Sequence, residues 1–318
     1  MRRYRRLATP ALLAVFGVVG CATLGGDSGK PSVVPTKFRT EAGPYAVFTN
    51  FPIPADDPAI RQLLALSRQV ETTLGVRANP IAPPIEVDIL DDRATFSHFL
   101  TFYHPEFPPR RAFFVAQSGS RVVYTYRQER LEEDLRHEAT HALLNAAIGD
   151  VPLWLDEGLA EYFEVPEGLD GYNAEHMSKL PGDLETGWSP DLARLEKLKD
   201  VREMSPRDYR EAWGWVHFML DGPPAGKSAL LAMLADLRSA APDGPAPAAL
   251  SGRLEKAVGD DSKGRMVTHL AQLRPPAPPI ATRAPREATV RLQDAPAEHV
   301  APKRRGFFSR LFGRGDAP

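Results

Sequence analysis

The run His137-Glu138-Ala139-Thr140-His141 holds the residue types and the spacing with the clearest chemical use in this chain. It matches H-E-x-x-H. Leu135, Ala142, Leu143 and Ala146 give the segment the apolar face of a buried helix. Four residues along a helix turn about 400°, so the two imidazoles leave the same side with Cβ atoms about 6 Å apart. Nitrogens so placed can reach one zinc ion at about 2.0–2.1 Å. Glu138, rotated by about 100°, can reach a water on the ion rather than the ion itself, which is where a general base belongs. Two ligands do not complete a site, and without a third the same residues read as the solvated side of an ordinary helix.

The next helical segment, Leu153 to Glu164, supplies carboxylates. Glu157, Glu161 and Glu164 fall on one stripe of an otherwise apolar run. Gly149, Asp150 and Pro152 punctuate the junction, so the two helices can fold back as a hairpin. Counted from the turn, His141 and Glu157 differ in axial height by about 4–5 Å, a span that a carboxylate side chain can cover. Gly158 costs on the order of 1 kcal/mol inside a helix, which predicts close approach of the two hairpin helices at that point.

His137-Glu138-x-x-His141 followed by Trp154-Leu155-Asp156-Glu157-Gly158-Leu159-Ala160-Glu161-Tyr162 resembles the gluzincin metallopeptidases, and among them the peptidase-MA-like domain. The resemblance implies a thermolysin-like catalytic core with zinc as cofactor. It makes His137, His141 and Glu157 the ligands and Glu138 the base, and gives Glu161 a hydrogen bond to a ligand histidine. Otherwise Glu161 is a solvated helix face. Tyr209, opening the segment Tyr209 to Leu220, resembles the tyrosine that donates to the oxyanion, with His217 as the alternative donor; on so aromatic a helix His217 also reads as core. Three protein ligands leave the fourth position for a water whose pKa the ion lowers to ≈ 7, and Glu138 takes its proton as it attacks a carbonyl. The implied activity is hydrolysis of peptide bonds in a peptide or protein substrate. The alternative is a body that cleaves nothing and serves as a binding or scaffold module, and an intact Glu138 argues for the enzyme. The 15 residues between His141 and Glu157 are a few fewer than in the aminopeptidase branch, so the substrate preference of that branch is not implied.

The elements that must position these groups read as α+β, with a small mixed sheet and its helices followed by a mostly helical half. Tyr45 to Thr49 and Ile85 to Leu90 read as strands, while Pro58 to Leu74 and Ala94 to Tyr103 read as helices. Arg111 to Gln117 and Arg121 to Arg127 flank Ser118-Gly119-Ser120, a hairpin signal, and the resemblance implies that an edge strand here, just before the zinc helix, pairs with an extended substrate. Helices are predicted over Leu131 to Ile148, Leu153 to Phe163, about Pro190 to Leu198, Pro206 to Leu220, Ser228 to Ser239, and Gly252 to Leu273 as one piece. Pro166 to Ser189 lacks a clean period and reads as a loop over the cleft.

The 39 Lys and Arg against 41 Asp and Glu leave a charge of −2, which gives no electrostatic case for nucleic acid. The single cysteine excludes an intramolecular disulfide and any zinc site needing two thiolates. It is Cys21, at the end of an apolar stretch that follows Arg2, Arg3, Arg5 and Arg6 and is too short to span a bilayer. Val18-Val19-Gly20-Cys21 resembles a bacterial lipobox. That implies a signal peptide over 1–20, lipidation of Cys21, a tether over 21–36, and a place in the cell envelope. With Ala22 next, the expected place is the outer membrane facing the periplasm. The catalytic domain is expected over 37–273. Seven prolines between Arg274 and Pro302 argue against packing there, so 274–318 reads as a Pro-rich and basic tail. Its end interleaves Lys303, Arg304, Arg305 and Arg310 with Phe307, Phe308, Leu311 and Phe312, and reads either as a membrane-surface segment or as a free basic tail. The sequence fixes no oligomeric state.

Overall fold

The computed structural model describes residues 33–79, 82–117, 119–241, 247–275 and 292–294. Cys21, the segment read as a signal peptide, most of the tether and most of the tail lie outside the described residues. The first half builds a mixed sheet. Its strands are β1 (Phe38–Ala42), β2 (Tyr45–Thr49), β3 (Ile85–Leu90), β4 (Phe113–Gln117), β5 (Ser120–Tyr126) and β6 (Leu292–Asp294), in the order β4-β5-β3-β2-β1-β6. The three central strands β2, β3 and β5 run parallel, while β1 and β4 pair antiparallel on either side. Two elements here escape the sequence reading. β1 carries no clean alternation, and β6 lies inside the proline-rich stretch, where it adds a short antiparallel edge to β1.

Helices cover both faces of the sheet because the strand side chains alternate. Val47, Val87, Ile89 and Val123 point into the core shared with α1 (Pro58–Leu74) and α3 (Leu131–Ala147). Val122, Tyr124 and Tyr126 of β5 point the other way, onto Phe96, Phe99 and Leu100 of α2 (Arg93–Tyr103). α1 begins as its sequence demands: Asp57 accepts from the Ala59 N–H, Pro58 takes the first helical position, and Gly75 ends the helix at φ 66°. Between β4 and β5, Gly119 turns the hairpin at φ 86°.

The second half is helical: α4 (Leu153–Phe163), α5 (Ala174–Glu185), α6 (Leu192–Leu195), α7 (Pro206–Asp221), α8 (Pro224–Ser239), α9 (Leu250–Val258) and α10 (Ser262–Gln272). The stretch from Pro166 to Ser189 is not wholly a loop. Asn173 caps α5 by accepting from the His176 N–H, and Pro181 lies within that helix. The segment expected as one helix from Gly252 is two, broken where Gly259 takes φ 95° and Asp261 caps the restart. α6 spans less than the expected Pro190 to Leu198. No described helix is long and apolar enough to cross a membrane.

Candidate metal centre

α3 carries the H-E-x-x-H run, and its position is held by residues just before that run. Glu132, Glu133 and Asp134 place negative charge in its first turn, where the helix dipole favours it. Asp134 also accepts three hydrogen bonds from the Arg111 guanidinium (3.2, 2.9 and 2.7 Å) and one from Gln128, which ties the start of the helix to the approach to β4. Arg136, fully buried beside His137, donates to Gln62 (3.1 Å) and Gln69 (2.5 Å) of α1 and to the Phe163 carbonyl at the end of α4 (2.8 Å). Burial lowers its pKa to about 10, so it stays charged at neutral pH. One side chain thus joins three helices.

The expected donors converge. Nε2 of His137 and Nε2 of His141 each lie 3.7 Å from the same Glu157 oxygen, and the imidazole centroids are 5.0 Å apart. Ligands at about 2.0–2.1 Å in a tetrahedron stand roughly 3.3–3.4 Å from one another, so the two histidine–glutamate distances are within a few tenths of an ångström of that spacing, and all three donor atoms lie within 4.8 Å of one another. The opposite nitrogens are already engaged: His137 Nδ1 is 3.0 Å from Glu164 and His141 Nδ1 is 2.9 Å from Asp156. When either imidazole is neutral with its Nδ1–H donated to a carboxylate, its Nε2 lone pair faces Glu157, the arrangement in which histidine ligates a metal. His137, His141 and Glu157 form a possible metal-binding group, and their chemistry fits zinc.

The electrostatics point the same way. Burial disfavours charge on both imidazoles, yet the carboxylates reverse it: Glu157 and Glu164 hold His137 well above its ordinary pKa, and Asp156 and Glu157 raise His141 to about 9. Burial also pushes the Glu157 carboxyl up, but the charges of His141 and His137 win and keep it ionised. These acids draw on the imidazoles for a positive charge that a divalent cation would supply.

The sequence reading assigned the outer carboxylate to Glu161, and the geometry differs. Glu161 instead meets His176 of α5 at 2.9 Å, and burial together with neighbouring Glu164 raises its pKa. The carboxylates on the imidazoles of His137 and His141 are Glu164 and Asp156, one turn beyond Glu161 and one residue before Glu157. Glu164 is oriented in turn by Asn173, which donates to it at 2.7 Å. Spacing put Glu164 on the stripe with Glu157 and Glu161 but assigned neither it nor Asp156 to an imidazole, because their aim depends on the rotation of α4 about its own axis. Gly158 also answers to a different neighbour: a Cβ there would lie 2.7 Å from the Ala212 carbonyl oxygen and 2.9 Å from Val216 Cγ2, so the close approach is between α4 and α7.

Glu138 and Tyr209 line the same cleft as the three donors. Tyr209 sits in the first turn of α7, where burial and the Glu157 charge push its pKa up and keep its O–H available to donate. His217 is not among the residues lining the cleft. It packs against Tyr162 and Trp213 with Nδ1 3.0 Å from His269 Nε2, so it is a core residue and not an alternative oxyanion donor. The cleft measures about 2010 Å³ and runs along β4, which is one edge strand of the sheet. Sites for small molecules occupy about 300–1,000 Å³, so this one has room for a chain-like ligand.

No known family description matches this chain, and no curated protein matches it. Solved structures do. A variant of an M1 zinc metallopeptidase from Deinococcus radiodurans is 15% identical, with a TM-score of 0.36 over 77% of this chain and 55% of that one. The same variant bound to a Tyr-Ser-Ala substrate gives 15% identity, a TM-score of 0.33 and coverage of 77% and 54%. The unsubstituted enzyme gives 15%, 0.32, 79% and 55%. The chain spans about half the length of these structures. At such identity and TM-scores the likeness assigns no activity, and function has to be argued from the donor set itself.

Proposed function

We propose that this chain is a zinc-dependent peptidase of the bacterial cell envelope, held to the membrane through a lipid on Cys21. The observation that carries the catalytic part is the convergence of two Nε2 atoms on one Glu157 oxygen at 3.7 Å each, with both Nδ1 atoms held by carboxylates. What the ion would supply when bound to His137, His141 and Glu157 is Lewis acidity, which polarises a carbonyl and lets water lose a proton near neutral pH. Glu138 accepts that proton as the water oxygen attacks the peptide carbonyl, and passes it to the departing amine nitrogen. The Tyr209 O–H donates to the carbonyl oxygen as negative charge gathers there. The free edge of β4 offers backbone N–H and C=O groups to an extended peptide, which holds the scissile bond along the cleft.

Zinc content and cleavage of casein or envelope peptides by the wild type and Glu138→Gln test this reading. Both proteins should bind about one zinc, with turnover lower by roughly 10²–10⁴-fold in the variant, the usual worth of a general base. Bound zinc with no turnover in either protein would return the chain to a scaffold role. Detergent partitioning of Cys21→Ser tests the anchor, and unchanged membrane association would remove it.

A further inference from the structure

Several cations line the cleft, and most are spoken for. Arg111 is paired with Asp134, Arg130 with Glu133 and Arg210 with Asp183, while Arg121 donates to Asn145 at 2.9 Å. Arg110 differs. Among the described residues it has no hydrogen bond or ion pair, and its Nε is buried without a partner. A buried donor left unpaired costs on the order of 1–3 kcal/mol, more when it is charged, so such a group calls for an explanation.

Arg110 is also held in place. Its guanidinium carbon stacks 5.1 Å from the centroid of Phe107, and that ring is seated 5.2 Å from Phe113 in the aromatic cluster under α2. Pro108 and Pro109 precede it, fixing two successive φ angles. The group lies close enough to the metal centre that its charge helps keep Glu157 ionised and bears on Tyr209. A planar fork of N–H donors, held by stacking and lacking an acid of its own, matches a carboxylate in shape and charge.

We propose that Arg110 receives a carboxylate of the bound peptide beside the bond to be cleaved, so that the site favours substrates carrying a negative charge there. The carboxylate is either a free C-terminus or an Asp or Glu side chain. The inference rests on the peptidase reading, but its test does not depend on turnover.

The experiment measures equilibrium binding of four fluorescent peptides to zinc-loaded Glu138→Gln protein. The peptides share one sequence, with Glu or Gln next to the bond and a free or amidated C-terminus. At least one carboxylate should tighten binding about tenfold, and the arm that does so identifies its source. In Glu138→Gln/Arg110→Met, which keeps an apolar stem on Phe107, the preference should vanish; Arg110→Lys should keep part of it and controls for folding. Equal affinity for all four peptides, or a preference that survives Arg110→Met, overturns the proposal. So does a loss of kcat on all peptides alike with binding unchanged in Arg110→Met of the otherwise wild-type enzyme, which would make the arginine an oxyanion donor. A wild type that cleaves none of the peptides while the charge preference in binding stands would sink the peptidase reading and leave this one in place.

Discussion

Two histidine pairs in this protein have nearly the same spacing and opposite characters. His137 and His141 have ring centroids 5.0 Å apart, and His217 and His269 have theirs 5.1 Å apart. The first pair is surrounded by Glu157, Glu164 and Asp156, and its pKa values rise despite burial. The second lies among Tyr162, Trp213 and Phe218, and burial takes each imidazole down to about 4. Its nearest acid, Asp221, is 3.7 Å from His217 and already accepts from the Tyr162 O–H. The second pair also turns its nitrogens on each other at 3.0 Å. Spacing alone therefore does not make a metal centre. The acids that α4 and its C-terminal cap deliver are what set apart the pair that belongs to the possible metal-binding group.

The strongest way to break this contrast is Glu157→Ala, which removes the acid shared by both Nε2 atoms. Zinc retention measured after dialysis should fall by more than the roughly 10–100-fold expected for an outer carboxylate, and peptide cleavage should fall with it.

Next in size is the pH dependence of stability, where the pairs have opposite signs. In the metal-free protein His137 and His141 have raised pKa values, so their contribution is full below about pH 6.5 and is lost as pH rises through the folded-state values, about 9 for His141. His217 and His269 have depressed values, so theirs is full above about pH 6.5 and is lost as pH falls toward about 4, at most about 3 kcal/mol from His217. Tm of the metal-free protein should therefore peak between the two limbs. Zinc should flatten the alkaline limb and His269→Gln the acidic one; a zinc-independent alkaline limb would dissolve the distinction.

Gly158→Ala probes the contact between the regions, since α4 carries Glu157 and Tyr162 while α7 carries Tyr209 and His217. With backbone 2.7 Å from the new methyl, a loss of about 1–3 kcal/mol is expected in chemical denaturation. Of about the same size, Asp156→Asn and Glu164→Gln should each weaken zinc by about 10–100-fold, whereas Glu161→Gln, which faces His176, has the smallest effect, less than about tenfold. Titration against a zinc chelator checks all three.

What could be read in advance follows from how local each cause is. The helix of His137 and His141, the hairpin partner with Glu157, and the strands β2, β3, β4 and β5 show in side-chain periods and punctuation within single segments. Which acid meets which imidazole did not show. Asp156, Glu161 and Glu164 differ only by rotations of about 100° per residue around α4, and α7 sets that rotation from more than 50 residues away. α5 was hidden because Pro181 and Gly182 interrupt its period, and the break at Gly259 because a left-handed backbone has no counterpart in hydrophobic spacing. Arg110 carried no signal at all, since a loop arginine shows its importance only when its neighbours fail to pair with it.

Arg136 precedes His137 and, itself fully buried, grips two other helices through hydrogen bonds. If the ligand helix slipped by one residue, or rolled to misdirect its imidazoles, it would strand a cation in the protein interior. Misassembled forms of the site are thereby penalised before any ion arrives. Metal capture should then resemble closing a nearly finished cage rather than organising a loose one, with little change in the circular dichroism of the protein as zinc is added.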